Sequence, residues 1–209
     1  LVRLAYQGFK ALKIDADLIL NKAGFDKSKL YETNLRTPFS AQPIFWKYAV
    51  EISRDPAIGL HLGEKMPIYK GQILEYLILS SASFEDGLER VLKYQRLISD
   101  ALHASFIRSP KPHLVSYFTD FSNATSHLAE AMVVGLVRSL NSVTDEKFNV
   151  TKIVFNHKPN TCKQEYERIF GCPIEFDAKS FKLYFDESVL SHKSIFAGIS
   201  QEFCCEFML

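Results

Sequence analysis

The chain has 209 residues, a formal net charge of +1 and 47% hydrophobic residues, including 17 Phe. This length fits one large domain or two small ones, and the apolar content is enough for a sizeable core. A net charge so close to zero argues against direct binding of nucleic acid, because a DNA-binding surface neutralises several phosphates with a basic stripe. No apolar run has the length of a transmembrane helix.

The first hundred residues show the spacing of helices. A helix over Leu18–Ala23 is expected to end at Gly24, a natural C-cap. Another around Ile44–Ile52 places its apolar side chains on one face. It should stop before Asp55-Pro56, because a residue that precedes proline disfavours the helical conformation. This half of the chain therefore predicts a helical subdomain.

Residues 69–100 predict two consecutive amphipathic helices that are joined by a capped turn. Ser83 is a good N-cap, and Asp86 follows three residues later as in a capping box. We expect the second helix to run from Phe84 to Asp100. On such a helix, four polar residues at spacings i, i+3, i+4 and i+7 share one face. These residues are Arg96, Ser99, Asp100 and His103.

After residue 100 the hydrophobic period changes from 3.6 to 2, which indicates strands. The predicted fold class is α+β: a helical N-terminal half (about 1–102) precedes a small mixed sheet with packed helices (about 103–209), within a single compact unit. The predicted strands are Ala104–Arg108, Leu114–Thr119, Val150–Asn156 and 181–186; the predicted helices of this half are Ser126–Asn141 and Cys162–Phe170.

The sequence contains no recognisable catalytic or metal-binding motif. It lacks G-x-S-x-G and the glycine-rich loops that bind phosphate. Its four cysteines form no C-x-x-C pair, which indicates reduced thiols of a cytoplasmic protein. His157 and Cys162 lack the spacing of a zinc site. We therefore expect no enzyme activity, no cofactor, no metal and no membrane association.

The polar residues of the two helices at 69–100 are the candidate ligand site. Arg96 is suited to anchor a carboxylate or phosphate through its planar fork, and His103 to respond to pH. The alternative for Arg96 is an exposed ion pair with Asp100. A cavity between these helices and the sheet would suit a small molecule, although the same residues would also form a solid core. The predicted ligand-binding residues are Tyr76, Ser80, Ser81, Arg96, Ser99, His103, Tyr117 and Phe118.

The last segment carries Phe196, Ile199 and Phe203 at helical spacing. We expect this helix to pack against a second subunit or to lead into a further domain. An ordinary terminal helix that packs on its own domain is the alternative. The three residues are the predicted dimerisation residues.

Several short runs resemble one family of proteins in their order along the chain. They are DADLIL at 15–20, DPAIGLHLGE at 55–64, LILSS at 77–81, LKYQRLISD at 92–100 and EYERIFGCPIEF at 165–176. Together they resemble the N-terminal effector-binding ("arabinose-binding"-type) domain of AraC-type transcription regulators. Members of that family continue into a C-terminal helix-turn-helix DNA-binding domain. Because this sequence stops at Leu209, we expect it to be an isolated sensor domain that contacts DNA only through the missing part.

The resemblance implies a bacterial regulator, a homodimer, in which a small organic effector modulates the helix-turn-helix domain. The aliphatic, Phe-rich segments fit an apolar or fatty acid-like effector, or an amino-acid derivative held by Arg96, at least as well as a sugar. A different hypothesis is a dimerisation module without a ligand of its own. A stand-alone enzyme is a third hypothesis, which would need a cleft with coupled titrating groups.

Overall fold

The computed structural model describes residues 2–32, 37–67, 73–97, 99–119 and 125–193. Within these ranges the chain forms α-helices and one five-stranded mixed sheet, so the predicted α+β class is confirmed. The α-helices are α1 (Val2–Ala11), α2 (Ala16–Lys22), α3 (Gln42–Ser53), α4 (Ile58–Lys65), α5 (Ile73–Leu79), α6 (Phe84–Lys93), α7 (Ser126–Val143) and α8 (Lys163–Phe170). The strands are β1 (Leu102–Ile107), β2 (His113–Phe118), β3 (Val150–Val154), β4 (Ile174–Glu175) and β5 (Phe181–Phe185).

The chain groups into two compact units, and each unit is built from three separate segments. These units do not follow the subdomain boundary expected near residue 102. The first unit comprises Leu1–Ile68, Asp120–Leu136 and His157–Gly171. The second comprises Tyr69–Thr119, Val137–Asn156 and Cys172–Leu209.

The first unit is helical and has an aromatic centre. Phe45 of α3 lies 5.9 Å from Phe9 and 5.7 Å from Trp46, measured between ring centroids, and all three side chains are buried. The helix predicted around Ile44–Ile52 is confirmed as α3. It ends where Arg54 adopts a positive φ of 54°, just before Asp55-Pro56.

The sheet belongs to the second unit and has the strand order β1-β2-β5-β3-β4. The strands predicted at Ala104–Arg108 and Leu114–Thr119 are confirmed as β1 and β2, which pair antiparallel from Leu102↔Phe118 to Ile107↔His113. β5 lies antiparallel between β2 and β3, whereas β4 pairs parallel with β3. β4 was not predicted, because two residues are too few to show a period.

The side chains of β5 alternate between the two faces of the sheet. Phe181, Leu183 and Phe185 are buried, while Lys182 and Tyr184 between them are half-buried. The ring of Phe185 lies 5.0–6.5 Å from other phenylalanine rings of the same unit, between centroids. These rings are Phe84, Phe106 and Phe148.

Helix α6 begins as predicted but ends early. The Ser83 side chain accepts a hydrogen bond from the backbone N–H of Asp86 at 3.2 Å, which confirms the capped start. The helix ends at Lys93, and a short 3-10 turn over Gln95–Leu97 follows. The prediction of a helix to Asp100 was therefore wrong.

The physical reason is that the side chain of Gln95 is tied to the edge strand β1. Its amide donates to the Ala104 carbonyl at 3.2 Å and its oxygen accepts from the Ala104 N–H at 2.6 Å. Tyr94 and Leu97 are each 54% exposed, so they provide no buried apolar surface against which further helical turns would pack.

Candidate functional site

Helices α5 and α6 approach each other closely at Gly87. A Cβ atom added to Gly87 would lie 2.7 Å from the Cα atom of Ile78 and 3.2 Å from its carbonyl oxygen. Only glycine allows the backbone of one helix to come so near the backbone of the other. This contact brings the outer side chains of α6 within reach of the C-terminal end of α5.

Arg90 lies one turn after Gly87 and reaches the serines that follow α5. Its Nη1 atom donates to Ser81 Oγ at 2.8 Å and to Ser80 Oγ at 3.5 Å. The Ser81 hydroxyl is itself fixed, because it donates to the Leu77 carbonyl at 2.5 Å. The structure thus gathers Ser80 and Ser81, two predicted ligand residues, around an arginine that the sequence analysis missed.

The structure does not place Arg96 in this group. Arg96 lies in the exposed 3-10 turn, and His103 lies in β1, so Arg96, Ser99, Asp100 and His103 do not share a helix face. That part of the prediction was wrong, because it depended on a helix that ends at Lys93. Ser99 accepts a hydrogen bond from the backbone N–H of Ala101 at 3.2 Å, in a local turn.

His103 and Tyr117 are brought together on the sheet. They are cross-strand partners in β1 and β2, and their rings stack at 4.9 Å between centroids. His103 also hydrogen bonds to the Thr119 hydroxyl at 3.2 Å. Tyr117 is 54% exposed, whereas Phe118, the next residue of the strand, points to the opposite face. Tyr117 and Phe118 therefore lie on different faces of the sheet.

An open cleft of about 560 Å³ lies elsewhere in the second unit. Its walls are polar and include a salt bridge between Arg108 and Glu85. None of the eight predicted ligand residues lines it. The lining residues are Ser83, Glu85, Arg108, Glu187, Leu190 and Ser191.

His61 in the first unit lies between two carboxylates. Its Nδ1 atom is 2.5 Å from Asp55 Oδ2, and its Nε2 atom is 2.8 Å from Glu165 Oε1. Carboxylate oxygens accept hydrogen bonds, so both ring nitrogens donate when the imidazole is protonated. Burial lowers the pKa of His61, but the hydrogen bonds and charges of Asp55 and Glu165 outweigh it and raise the pKa above its usual 6.5.

Arg168 continues this ion network along α8. Its Nη2 atom donates to Glu165 at 2.7 Å and to Glu64 at 2.8 Å. The hydrogen bond from Arg168, followed by the one from His61, lowers the pKa of Glu165 to about 2. Glu165 is therefore a carboxylate throughout the physiological pH range.

Glu130 of α7 is a fully buried carboxylate in the same unit. It accepts hydrogen bonds from the Tyr166 hydroxyl and from Asn160 Nδ2, the latter at 2.9 Å, and lies 3.2 Å from His127 Nδ1. Burial and the charge of Glu130 raise the pKa of the Tyr166 hydroxyl well above its usual range. The His127 ring stacks on Trp46. The protein therefore supplies the hydrogen-bond donors that a buried carboxylate requires.

The two described cysteines differ in burial. Cys172 is buried, and burial raises the pKa of its thiol to about 11, so the reactive thiolate is scarce at neutral pH. Cys162 is exposed at the start of α8. Over the described ranges, no three His, Cys, Asp or Glu side chains are grouped to hold a metal ion, and no helix has the length and apolarity to cross a membrane.

Comparison with known proteins identifies the family of the chain. A family model described as "Arabinose-binding domain of AraC transcription regulator, N-term" matches residues 14–194. The chain belongs to this family. It is a regulatory N-terminal domain of the AraC type, and the family is one of transcription regulators.

Two regulators from Pseudomonas aeruginosa are similar to this AraC-type domain. The ornithine utilization regulator is 25% identical over 127 residues, which are 59% of the chain and 37% of that regulator. The crystal structure of the transcriptional regulator CdpR has the same fold, with a TM-score of 0.64 and 16% identity, over 88% of the chain and 57% of CdpR. The chain therefore spans little more than a third to somewhat over half of these two regulators.

Proposed function

We propose that this AraC-type domain senses a small organic effector and thereby modulates a helix-turn-helix domain elsewhere in the regulator. The observation that carries the proposal is the match of the regulatory domain family over residues 14–194. Physically, the effector must bind one of two conformations of the regulator more tightly than the other, because equal affinity for both shifts nothing. We place the regulator in the cytoplasm and expect it to be a homodimer.

The α5–α6 group supports an effector site in the second unit. Ser80 and Ser81 contact the guanidinium of Arg90. Tyr76 of α5 lies one turn before Ser80 and is 61% exposed. Hydroxyls, a cation and an aromatic ring are the polar and apolar groups from which small-molecule sites are built. The other predicted ligand residues remain predictions, with Arg90 in the role expected for Arg96.

The alternative function is a dimerisation module without a ligand. The predicted dimerisation residues Phe196, Ile199 and Phe203 lie outside the described residues. One experiment separates this alternative from the effector-sensing function.

The experiment is native mass spectrometry of the 209-residue chain, first under gentle and then under denaturing conditions. A co-purified small molecule that is released on denaturation supports effector sensing. Chain purified without it is then screened by thermal denaturation against organic acids, amino acids that include ornithine, and sugars. A ligand at a hundred times its Kd stabilises the folded chain by about 2.7 kcal/mol. A ligand-free dimer that no compound stabilises would instead support the dimerisation module.

A further inference from the structure

We infer that Arg90, held at the end of α5 by Ser80 and Ser81, is an anion-binding subsite, and that the effector carries a carboxylate or a phosphate. The inference rests on the proposed function, because it assigns the chemical class of the effector. A carboxylate is a planar oxyanion and a phosphate a tetrahedral one. A guanidinium binds either of them through two parallel hydrogen bonds.

The hydroxyl contacts orient the guanidinium and leave most of its donors for a ligand. Ser81 is only 3% exposed, and its proton goes to the Leu77 carbonyl, so its oxygen can only accept from Arg90. A guanidinium has five N–H donors. Within the described part of the chain, both hydrogen bonds of Arg90 start from Nη1. The Nε and Nη2 groups therefore remain for an oxyanion.

The hydrogen-bond partners of Arg90 are neutral hydroxyls, whereas those of Arg108 and Arg168 are carboxylates. Arg108 forms an ion pair with Glu85, and Arg168 forms one with Glu165. A carboxylate already neutralises each of those guanidinium groups. Hydroxyl oxygens orient Arg90 without cancelling its charge, so an incoming anion meets a cation that is paired with no carboxylate among the described residues.

The surroundings of Arg90 agree with an organic anion. Asp86 lies one turn earlier on α6, but its carboxylate accepts a hydrogen bond from the Ser83 hydroxyl at 2.9 Å, at the start of the helix. Tyr76 lies one turn before Ser80, whose N–H donates to the Tyr76 carbonyl at 2.9 Å, and Tyr76 is 61% exposed. The ring offers an apolar surface to the body of a molecule whose acidic group is bound by Arg90.

A purely structural role for Arg90 makes a different prediction. A cation near the C-terminal end of α5 would stabilise the helix by interaction with its terminal carbonyls and its dipole. Lysine would serve that role nearly as well as arginine. Binding of an oxyanion instead needs the planar fork, which lysine lacks.

The test is NMR of the 209-residue chain in a buffer free of oxyanions, with the arginine Nε–H signals observed. The signal of Arg90 is identified by its loss in R90K. Sodium phosphate, sodium decanoate and N-acetylglycine are titrated separately. We expect a saturable shift of this signal with at least one of them, and Kd values, read from neighbouring backbone amides, at least tenfold weaker in R90Q and R90K. K93Q removes another positive charge from α6 and should bind as the wild type does.

The probes also identify the anion. A response to decanoate or N-acetylglycine indicates a carboxylate effector, and a response to phosphate alone indicates a phosphorylated one. Absence of a saturable response to all three probes, or equal Kd values for wild type and R90Q, overturns the inference. Circular dichroism of each variant verifies the fold. An effector that co-purifies and binds R90Q as tightly as wild type would overturn only the subsite, and the sensing function would stand.

Discussion

The Glu130 carboxylate and the Tyr166 hydroxyl form a hydrogen bond between two side chains that are both 0% exposed. The residues belong to α7 and α8 and are 36 positions apart in the sequence. A buried carboxylate is tolerated only when its oxygens are hydrogen bonded. The bond to Tyr166 is therefore one of the conditions under which α7 and α8 pack together.

We expect Y166F to lower the free energy of unfolding by about 2–3 kcal/mol, because Glu130 loses a hydrogen bond and the Asn160 N–H, which donates to the Tyr166 hydroxyl at 2.9 Å, loses its acceptor. Y6F is the matched control. Tyr6 is also a buried tyrosine, and its hydroxyl donates to Asp17, whose side chain is 52% exposed and remains solvated. Its loss should cost about 1 kcal/mol or less. Urea denaturation of both variants measures the two values, and equal losses would contradict the structural role of Glu130.

The pKa of His61 should be lowered by E165Q, which removes one of its two carboxylate partners. The imidazole signal of His61 in NMR should titrate above pH 6.5 in the wild type and at lower pH in the variant. E167Q is the control, because Glu167 is also in α8 but pairs with Lys163. A His61 signal that titrates at the same pH in wild type and E165Q would show that Glu165 does not raise the pKa of His61.

The stability of the chain should depend on pH through the same histidine. Since the pKa of His61 is raised on folding, its contribution is fully present below about pH 6.5, the value of an unfolded histidine. The contribution is lost as pH rises through the folded-state pKa. The difference in unfolding free energy between wild type and H61Q should therefore be largest near pH 6 and decrease toward pH 9. Urea denaturation at several pH values measures it, and a difference that grows with pH would have the wrong sign.

G87A should destabilise the chain even though alanine is the better helix former. The added Cβ would meet the Ile78 backbone at 2.7 Å, so α5 and α6 must separate, at a cost of about 1–3 kcal/mol. G135A is the matched control in α7, where the nearest atom, Met66 Cε, is 3.9 Å away. That variant should be neutral or gain up to about 1 kcal/mol. Thermal denaturation compares the two, and equal midpoints would argue against the close approach.

Q95A should expose the backbone N–H and C=O groups of Ala104 at the edge of β1. It removes the two hydrogen bonds to the Ala104 backbone, which are worth about 1–3 kcal/mol together. The amide of Ala104 should exchange with deuterium faster, and the variant should associate at high concentration, because an uncovered strand edge pairs with other chains. R96A, an exposed neighbour, is the control. Unchanged exchange at Ala104 in Q95A would count against this edge contact.

Local patterns allowed much of the fold to be predicted from the sequence. The period of two in Phe181–Phe185 and the Ser83 cap are properties of a few neighbouring residues, and both agree with the structure. The end of α6 could not be predicted in the same way. Helical spacing continues past Lys93 in the sequence, but the contact between Gln95 and Ala104 directs the chain into β1.

The site residues depend on contacts that no local pattern reports. The spacing of Tyr76, Ser80 and Ser81 at i, i+4 and i+5 indicates one side of a predicted helix. Arg90 reaches the two serines only because Gly87 lets another helix come close. Likewise His61 and Glu165 are 104 positions apart, and their proximity follows from tertiary packing alone.

The interleaving of the two units constrains how the chain is made in the cell. The first unit contains Leu1–Ile68, yet it also needs His157–Gly171, which supplies Tyr166 and Glu165. During translation, Glu130 and His61 therefore leave the ribosome well before their partners Tyr166 and Glu165. Neither unit is complete until after residue 171 has been synthesised, because the second unit needs Cys172–Leu209. A nascent chain of this protein must keep its early helices from aggregating until residues 157–171 have been synthesised.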